Sequence, residues 1–158
     1  MRIAVTGGAG YIGSHTVAVL LEAGHDVLIV DNFANAALDV PERIALIAGS
    51  TPRISRVDIT DEPALYQALE GFSPEALIHF AGLKAVGEAT GIPIEYYRVN
   101  VGGSIMLFDV MNKLGCNRLV FSSSATVYGD PADVPITVHH ALETTNPYGQ
   151  SERMVEPP

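Results

Sequence analysis

Val5-Thr6-Gly7-Gly8-Ala9-Gly10-Tyr11-Ile12-Gly13 is a glycine-rich stretch that joins an apolar run to an amphipathic segment. The apolar run is Ile3-Ala4-Val5, and residues 15–21 have the spacing of a helix. This order predicts a β-strand, a tight turn and an α-helix. The three spaced glycines bring backbone N–H groups close to a pyrophosphate, and the helix N-terminus attracts negative charge. The stretch therefore predicts a dinucleotide-binding loop.

A second apolar run, Val27-Leu28-Ile29-Val30, ends at the carboxylate of Asp31. In dinucleotide-binding folds, an acidic residue at the end of the second strand accepts a hydrogen bond from the adenosine ribose. The alternative is a glycine-rich loop that arose by chance. The strand, the helix and Asp31 together favour the dinucleotide site over that alternative.

Composition indicates a single globular domain over residues 1–158. Hydrophobic residues make up 47% of the chain and charged residues 17%, which is typical of a folded protein. The formal net charge is −9, and the nine Lys and Arg residues are scattered, whereas nucleic-acid binding needs clustered positive charge. We therefore expect a small-molecule ligand and no nucleic-acid partner.

The cysteine and histidine residues indicate no further chemistry. Cys116 is the only cysteine, which excludes an internal disulfide, and we interpret it as a small core residue. The five histidines fall in no metal-ligand spacing, so no metal site is predicted. No apolar window approaches the about 18 residues of a membrane span, and we expect no targeting leader before the first strand. A cytoplasmic protein without a membrane partner is the expectation.

Apolar runs alternate with segments of helical spacing, which predicts a parallel sheet covered by helices in a doubly wound α/β fold. The strands are expected at about residues 2–6, 27–31, 53–58, 76–81 and 118–123. Asp61-Glu62-Pro63 is typical of a helix start, and Gly71 is predicted to end that helix. A longer helix is expected over residues 94–114. Its predicted core-facing stripe consists of Tyr97, Val101, Ile105, Phe108 and Met111.

Polar residues that carry chemistry follow the last predicted strand. Ser122-Ser123-Ser124 lies at its carboxyl end, where ligands bind in open α/β sheets, and Tyr148 begins the next helical segment. A serine and a tyrosine that reach one substrate hydroxyl suit proton transfer coupled to hydride transfer. The alternatives are that the serines cap a turn and that Tyr148 is a packed core aromatic.

The chain resembles the N-terminal half of the UDP-glucose 4-epimerases, which belong to the extended short-chain dehydrogenase/reductase family. Nearly the whole chain takes part in the resemblance. Besides the glycine-rich stretch, it rests on Gly24-His25-Asp26-Val27, Asp31-Asn32, Ile78-His79-Phe80-Ala81-Gly82-Leu83-Lys84-Ala85-Val86-Gly87-Glu88 and Phe121-Ser122-Ser123-Ser124-Ala125-Thr126-Val127-Tyr128-Gly129. It implies a Rossmann-like, three-layer fold and NAD as the cofactor.

The resemblance also implies site residues. The catalytic pair would be Ser124, which polarises the reacting sugar oxygen, and Tyr148, which as tyrosinate takes the proton of the C4 hydroxyl. Gly7, Gly10 and Gly13 form the pyrophosphate loop. Further cofactor contacts are implied at Tyr11, Ile12, Asp31, Asn32, Asn35, Asp58, Ile59, Phe80, Ala81, Gly82 and Lys84. The implied substrate is a UDP-sugar.

The chain departs from the family pattern at the catalytic helix. The family's Tyr-x-x-x-Lys reads Tyr148-Gly149-Gln150-Ser151-Glu152 here, so an anion stands where a cation would lower the tyrosine pKa. Arg153 does not replace the cation, because five helical positions rotate it about 140° from Tyr148. Val99 also stands where the family often has a cofactor-contacting Asn.

Three interpretations remain open at this point. The chain is the NAD-binding half of a UDP-sugar 4-epimerase, a dinucleotide-binding module without turnover, or a truncated relic. A fragment of a related nucleotide-sugar dehydratase or reductase is less favoured, because Lys84-Ala85-Val86-Gly87-Glu88 resembles the 4-epimerases. The family's C-terminal substrate domain is expected to be absent, and self-association or a homodimer is expected.

Overall fold

A computed structural model of the chain describes residues 1–156 and contains two compact units. Unit 1 comprises Met1–Ala81 and Ile105–Ser122, and unit 2 comprises Gly82–Ser104 and the chain from Ser123 onward. The sequence predicts that the helical segment beginning at Tyr148 ends in Glu156-Pro157-Pro158, and Pro157 and Pro158 lie outside the described residues. The single domain expected over 1–158 stays a prediction.

Unit 1 is built on a parallel sheet, which among the described residues has five strands in the order β3-β2-β1-β4-β5. The strands are β1 Arg2–Thr6, β2 Asp26–Asp31, β3 Arg53–Arg56, β4 Ala76–His79 and β5 Leu119–Phe121. The central strand β1 pairs in parallel with both β2 and β4, so the strand order reverses beside it. This is the topology of a doubly wound sheet and confirms the predicted fold class.

Helices follow the strands, as the alternating sequence pattern predicts. They are α1 Tyr11–Glu22, α2 Val40–Ala48, α3 Glu62–Phe72, α4 Val86–Gly91, α5 Pro93–Tyr96, α6 Gly103–Lys113 and α7 Pro147–Val155. A π-helical turn, Tyr97–Gly102, joins α5 to α6, and a 3₁₀ turn covers Ala125–Tyr128. No described helix combines the length and the hydropathy needed to cross a bilayer.

The core of unit 1 lies on both faces of the sheet. Ile3 and Val5 of β1 pack with Val17 and Leu21 of α1 in one cluster. Ala4, which points to the opposite face, belongs to a second cluster with residues of α3 and α6. Helices therefore cover the sheet on both sides, which confirms the three-layer arrangement.

The predicted end of α3 at Gly71 is wrong. The helix begins as expected, where the N-cap Asp61 accepts a hydrogen bond from the Ala64 N–H at 3.2 Å. It continues through Gly71 to Phe72, and Ser73 ends it with a left-handed φ of 54°. Phe72 is only 5% exposed, so burial of its ring favours the additional helical residues over termination at glycine.

The predicted stripe of the long helical segment is right at Met111, which is buried, and at Phe108, which packs against the core. Its other residues are wrong, because most of the buried face lies about one residue earlier in the chain. Ile105 of the predicted stripe is 61% exposed. The side chains that are buried instead include Tyr96, Asn100, Ser104 and Leu107. Two of these are polar, and the Ser104 hydroxyl donates to the Asn100 carbonyl. A search for apolar spacing cannot locate a face that carries buried hydrogen-bonded residues.

The loop after β1 approaches the start of α1 so closely that a side chain would not fit. A Cβ atom on Gly13 would lie 2.1 Å from the Gly7 carbonyl oxygen, and one on Gly7 would lie 2.6 Å from the Ala81 nitrogen. Gly7 also has a φ of 68°, which disfavours L-residues with side chains. The close approach fixes the first turn of α1 beside the carboxyl ends of β1 and β4.

We predict that Gly13→Ala destabilises the chain by about 1–3 kcal/mol, because its Cβ would overlap backbone atoms that cannot move aside. The midpoint of urea-induced unfolding measures the change. Gly71→Ala is the control, since a Cβ at Gly71 would have no atom within 4 Å. That substitution should stabilise helix α3 by about 0.5–1 kcal/mol. Equal effects of the two variants would contradict the close approach.

We also predict that the chain self-associates as its concentration rises, because β5 is an edge strand with Val120 61% exposed. Light scattering over a concentration series measures the association. Val120→Lys should reduce it, since a charged edge opposes strand pairing. Val19→Lys, at a residue of α1 that is 63% exposed, is the matched control. A monomer at every concentration would contradict the prediction.

Candidate functional site

The N-terminus of α1 in unit 1 has the properties of an anion site. Its N-cap is Gly10, no described side chain caps it, and its first turn contains no acidic residue. The first N–H groups of the helix and their partial positive charge are therefore available to a ligand. Tyr11 and Ile12, two predicted cofactor contacts, lie in this turn and are 85% and 59% exposed.

Asp31 connects two turns at the carboxyl edge of the sheet. Its Oδ2 accepts a hydrogen bond from the Ala9 N–H at 3.0 Å, and its Oδ1 accepts one from the Phe33 N–H at 2.8 Å. These bonds place the carboxylate beside the glycine-rich loop, at the end of β2. An ionised carboxylate has about four acceptor sites, so both oxygens still have lone pairs for ribose hydroxyls.

Asp58, for which the resemblance implies a contact with the adenine of the cofactor, lies beside the turn that follows β2. The Asn32 Nδ2 donates to Asp58 Oδ2 at 2.9 Å, and the Thr60 hydroxyl donates to Asp58 Oδ1 at 2.7 Å. Ile59 is 5% exposed and belongs to the buried side chains of unit 1, whereas Asn35 is exposed in the loop after β2. The structure thus brings Asn32 and Asp58 together and leaves Asn35 on the surface.

The remaining predicted cofactor residues follow β4. Phe80 and Ala81 belong to unit 1, where the backbone of both residues lies against Gly7. Gly82 and Lys84 belong to unit 2, and the Asn100 side chain lies against Gly82.

Unit 1 fits a dinucleotide by three features of its own residues. Glycines shape the loop, an uncapped helix start faces the ligand with N–H groups, and a carboxylate stands at the end of the second strand. The first two suit a pyrophosphate, and Asp31 suits a ribose 2′-hydroxyl. A 2′-phosphate at the same place would meet a like charge.

Ser124 and Tyr148 are brought together in unit 2. The Ser124 oxygen accepts hydrogen bonds from the Thr126 N–H at 3.2 Å and the Thr126 hydroxyl at 2.9 Å. The Ser124 side chain also lies close enough to Tyr148 to lower the pKa of its phenol. Ser124 therefore caps a turn, as one alternative held, and contacts the predicted catalytic tyrosine as well.

Tyr148 is buried at the start of α7, where its side chain is held on several sides. Asn146 caps the helix by accepting a hydrogen bond from the Gly149 N–H at 2.8 Å. The Tyr148 ring packs edge-on against Tyr96, with ring centroids 6.3 Å apart. Burial raises the pKa of Tyr148, the nearby Ser124 side chain lowers it, and the Glu152 charge raises it, with a net increase. A neutral phenol is therefore the resting form at neutral pH.

Glu152, which stands in place of the family lysine, is almost fully buried with 2% exposure. Its Oε1 accepts a hydrogen bond from Lys84 Nζ at 3.1 Å, while its buried Oε2 has no hydrogen-bond partner among the described residues. Burial raises the pKa of Glu152, and Lys84 opposes that rise. The anion predicted at this position is thus paired with a lysine 68 residues earlier in the chain.

Asn100 and Tyr96 organise unit 2, and sequence reasoning did not single them out. The Asn100 side chain accepts from the Leu83 N–H at 2.8 Å and donates to the Leu83 carbonyl and the Ser151 hydroxyl, both at 3.0 Å. The Tyr96 hydroxyl accepts from the Ala85 N–H at 3.0 Å. Both residues occupy the buried face that the predicted stripe missed. Polar residues at helical spacing on that face were the available signal.

The comparisons with known proteins agree with this geometry. Residues 3–157 match the model of the NAD dependent epimerase/dehydratase family. The chain is 51% identical over 155 residues to the UDP-glucose 4-epimerase of Dictyostelium discoideum, a match that covers 98% of this chain and 45% of that protein. It is 46% identical over 156 residues to the enzyme of the same name from Bacillus subtilis, covering 99% of this chain and 46% of that protein.

Solved structures show the same similarity. The UDP-glucose 4-epimerase of Bifidobacterium longum, in complex with NAD⁺ and UDP, superposes with a TM-score of 0.96 at 42% identity. That match covers 98% of this chain and 47% of the solved chain. The present chain thus spans about half the length of the relatives that it matches. On the match of residues 3–157, the chain belongs to the NAD-dependent epimerase/dehydratase family, whose cofactor is the one that the sequence predicts.

Proposed function

We propose that this chain is the NAD-binding part of a UDP-sugar 4-epimerase. The observation that carries the proposal is the Asp31 carboxylate, which the Ala9 and Phe33 N–H groups hold at the end of β2. The identity of about one half to UDP-glucose 4-epimerases over 98% of the chain supports the substrate class, a UDP-sugar. The buried Cys116 thiol fits a reducing compartment, so we include a cytoplasmic location in the proposal.

The residues of unit 1 would hold the nucleotide part of NAD. The N–H groups at the start of α1 would bind the pyrophosphate, with Tyr11 and Ile12 beside it. Asp31 and Asn32 would bind the adenosine ribose, and Asp58 and Ile59 would lie at the adenine. When bound, NAD supplies a hydride acceptor that can return the hydride.

The residues of unit 2 would handle the proton of the sugar hydroxyl. Tyr148 Oη would remove that proton and later give it back, and the Ser124 hydroxyl would polarise the same oxygen. The proximity of the two side chains supports their joint action, because Ser124 lowers the pKa of Tyr148 and so favours the phenolate over the phenol.

The second candidate is a dinucleotide-binding module without turnover. The observation that favours it is Glu152, whose charge adds to burial in raising the pKa of Tyr148. Less phenolate is then present at neutral pH, where an epimerase needs its base. The cofactor chemistry of unit 1 is the same in both candidates, so turnover separates them.

We predict that the chain binds NAD at least about ten times more tightly than NADP, because Asp31 accepts from a 2′-hydroxyl and repels a 2′-phosphate. Isothermal titration calorimetry with each cofactor measures the ratio. Asp31→Asn should lower the ratio of NAD affinity to NADP affinity, whereas Asp26→Asn at the other end of β2 should leave that ratio unchanged. Equal or tighter binding of NADP would remove Asp31 from the ribose site.

We predict that the 158 residues alone do not epimerise UDP-galactose and that Glu152→Lys alone does not rescue them. The remote UDP group orients the sugar through binding energy, and the relatives extend well beyond the region that matches this chain. Conversion of UDP-galactose is assayed for the chain, for Glu152→Lys, and for Glu152→Lys fused to the C-terminal half of the Dictyostelium discoideum enzyme. Turnover is expected only in the fusion. Substantial turnover by the unmodified chain would contradict the prediction.

A further inference from the structure

The Lys84 ammonium lies between two groups of unit 2 that compete for it. Its Nζ is 3.1 Å from Glu152 Oε1 and 5.8 Å from the centroid of the Tyr148 ring. The Lys84 side chain is 41% exposed, whereas that of Glu152 is 2% exposed. The carboxylate is therefore fixed by its surroundings, and the more exposed lysine side chain reaches it.

Pairing with the Lys84 cation offsets the cost of burying the Glu152 carboxylate. A buried anion is costly unless it is paired, and Oε2 of Glu152 has no hydrogen-bond partner among residues 1–156. Lys84 is the group that counters the rise in the pKa of Glu152. Release of Lys84 would leave the carboxylate buried and uncompensated, so Glu152 holds the ammonium firmly.

Within residues 1–156, the other groups that contact Tyr148 or shift its pKa do not supply a positive charge. The Tyr96 ring packs edge-on against it, and burial together with a hydrogen bond to Glu88 raises the pKa of Tyr96 to about 12. Glu152 lies one turn further along α7, and Ser124 lies close to the phenol. Among the described residues, Lys84 is thus a nearby cation that could pair with a Tyr148 phenolate.

We propose that Glu152 weakens Tyr148 as a base by binding Lys84. The ammonium beside the tyrosine ring then pairs with the buried carboxylate and not with the phenolate. The proposal rests on the proposed function in taking Tyr148 as the base. Glu152 and Lys84 are positioning residues in this scheme. Glu152 then disfavours the Tyr148 phenolate in two ways. Its own negative charge repels the phenolate, and its ion pair keeps the Lys84 ammonium away from the phenolate. Only the second effect requires Lys84.

A double-mutant cycle separates the two parts. The Tyr148 titration is followed by NMR of chain labelled with ¹³C at tyrosine Cζ, and Tyr148→Phe assigns the signal. Glu152→Gln should lower the Tyr148 pKa by at least about one pH unit, because the freed ammonium can reach the phenolate. Lys84→Gln added to Glu152→Gln should reverse most of that change. Lys84→Gln alone should not lower the Tyr148 pKa, because its ammonium is already engaged.

Two further variants serve as controls for this interpretation. Glu152→Met removes the hydrogen bond to Lys84 altogether with an apolar side chain that suits a buried site, and it should reproduce the effect of Glu152→Gln. Lys113→Gln breaks an ion pair with Glu62 in unit 1 and should leave the Tyr148 titration unchanged. The proposal is wrong if Glu152→Gln lowers the Tyr148 pKa equally in the chain with Lys84 and in the chain with Lys84→Gln. It is also wrong if Glu152→Gln does not lower that pKa. The titration needs neither NAD nor turnover, so its result is independent of the proposed function.

Discussion

The start of α1 meets the loop after β1 at a distance that leaves no space for a side chain, since a Cβ on Gly13 would lie 2.1 Å from the Gly7 oxygen. This contact sets the angle at which the first helix leaves the sheet. The same approach places the helix N–H groups at the carboxyl edge of the central strand. The Val17 and Leu21 side chains can then pack against β1. Ligand binding and core formation in unit 1 thus share one geometric requirement.

Buried side-chain hydrogen bonds hold the segments of unit 2 together, whereas apolar packing is the main contact between the elements of unit 1. Asn100 is 3% exposed and joins the Leu83 backbone to Ser151 of α7. A buried amide with all these partners is stabilising, whereas one without them is costly. The helix that carries Tyr148 is consequently positioned by a polar network, and its geometry is more specific than apolar packing alone provides.

The sequence predicted the parts of the molecule that rest on local or periodic signals. All five predicted strands exist, because a buried parallel strand is a short apolar run that ends at turn residues. Gly71 misled the prediction of a helix end because burial of Phe72 outweighed the weak preference of glycine. The Lys84–Glu152 pair was not predictable, since 68 residues separate the partners and charge pairing leaves no periodic pattern. Sequence reasoning identified the reversed charge at 152 but not its compensation.

Asp31 makes cofactor choice and loop shape inseparable. Its two oxygens hold the Ala9 and Phe33 N–H groups, so the residue that would read the ribose also fastens the turns around it. A substitution of Asp31 that allows a 2′-phosphate to bind would also remove the hydrogen bond that the Ala9 N–H of the glycine-rich loop donates to this side chain. Position 31 is therefore pleiotropic, and an engineered or evolved change of coenzyme needs a second substitution that restores the anchor.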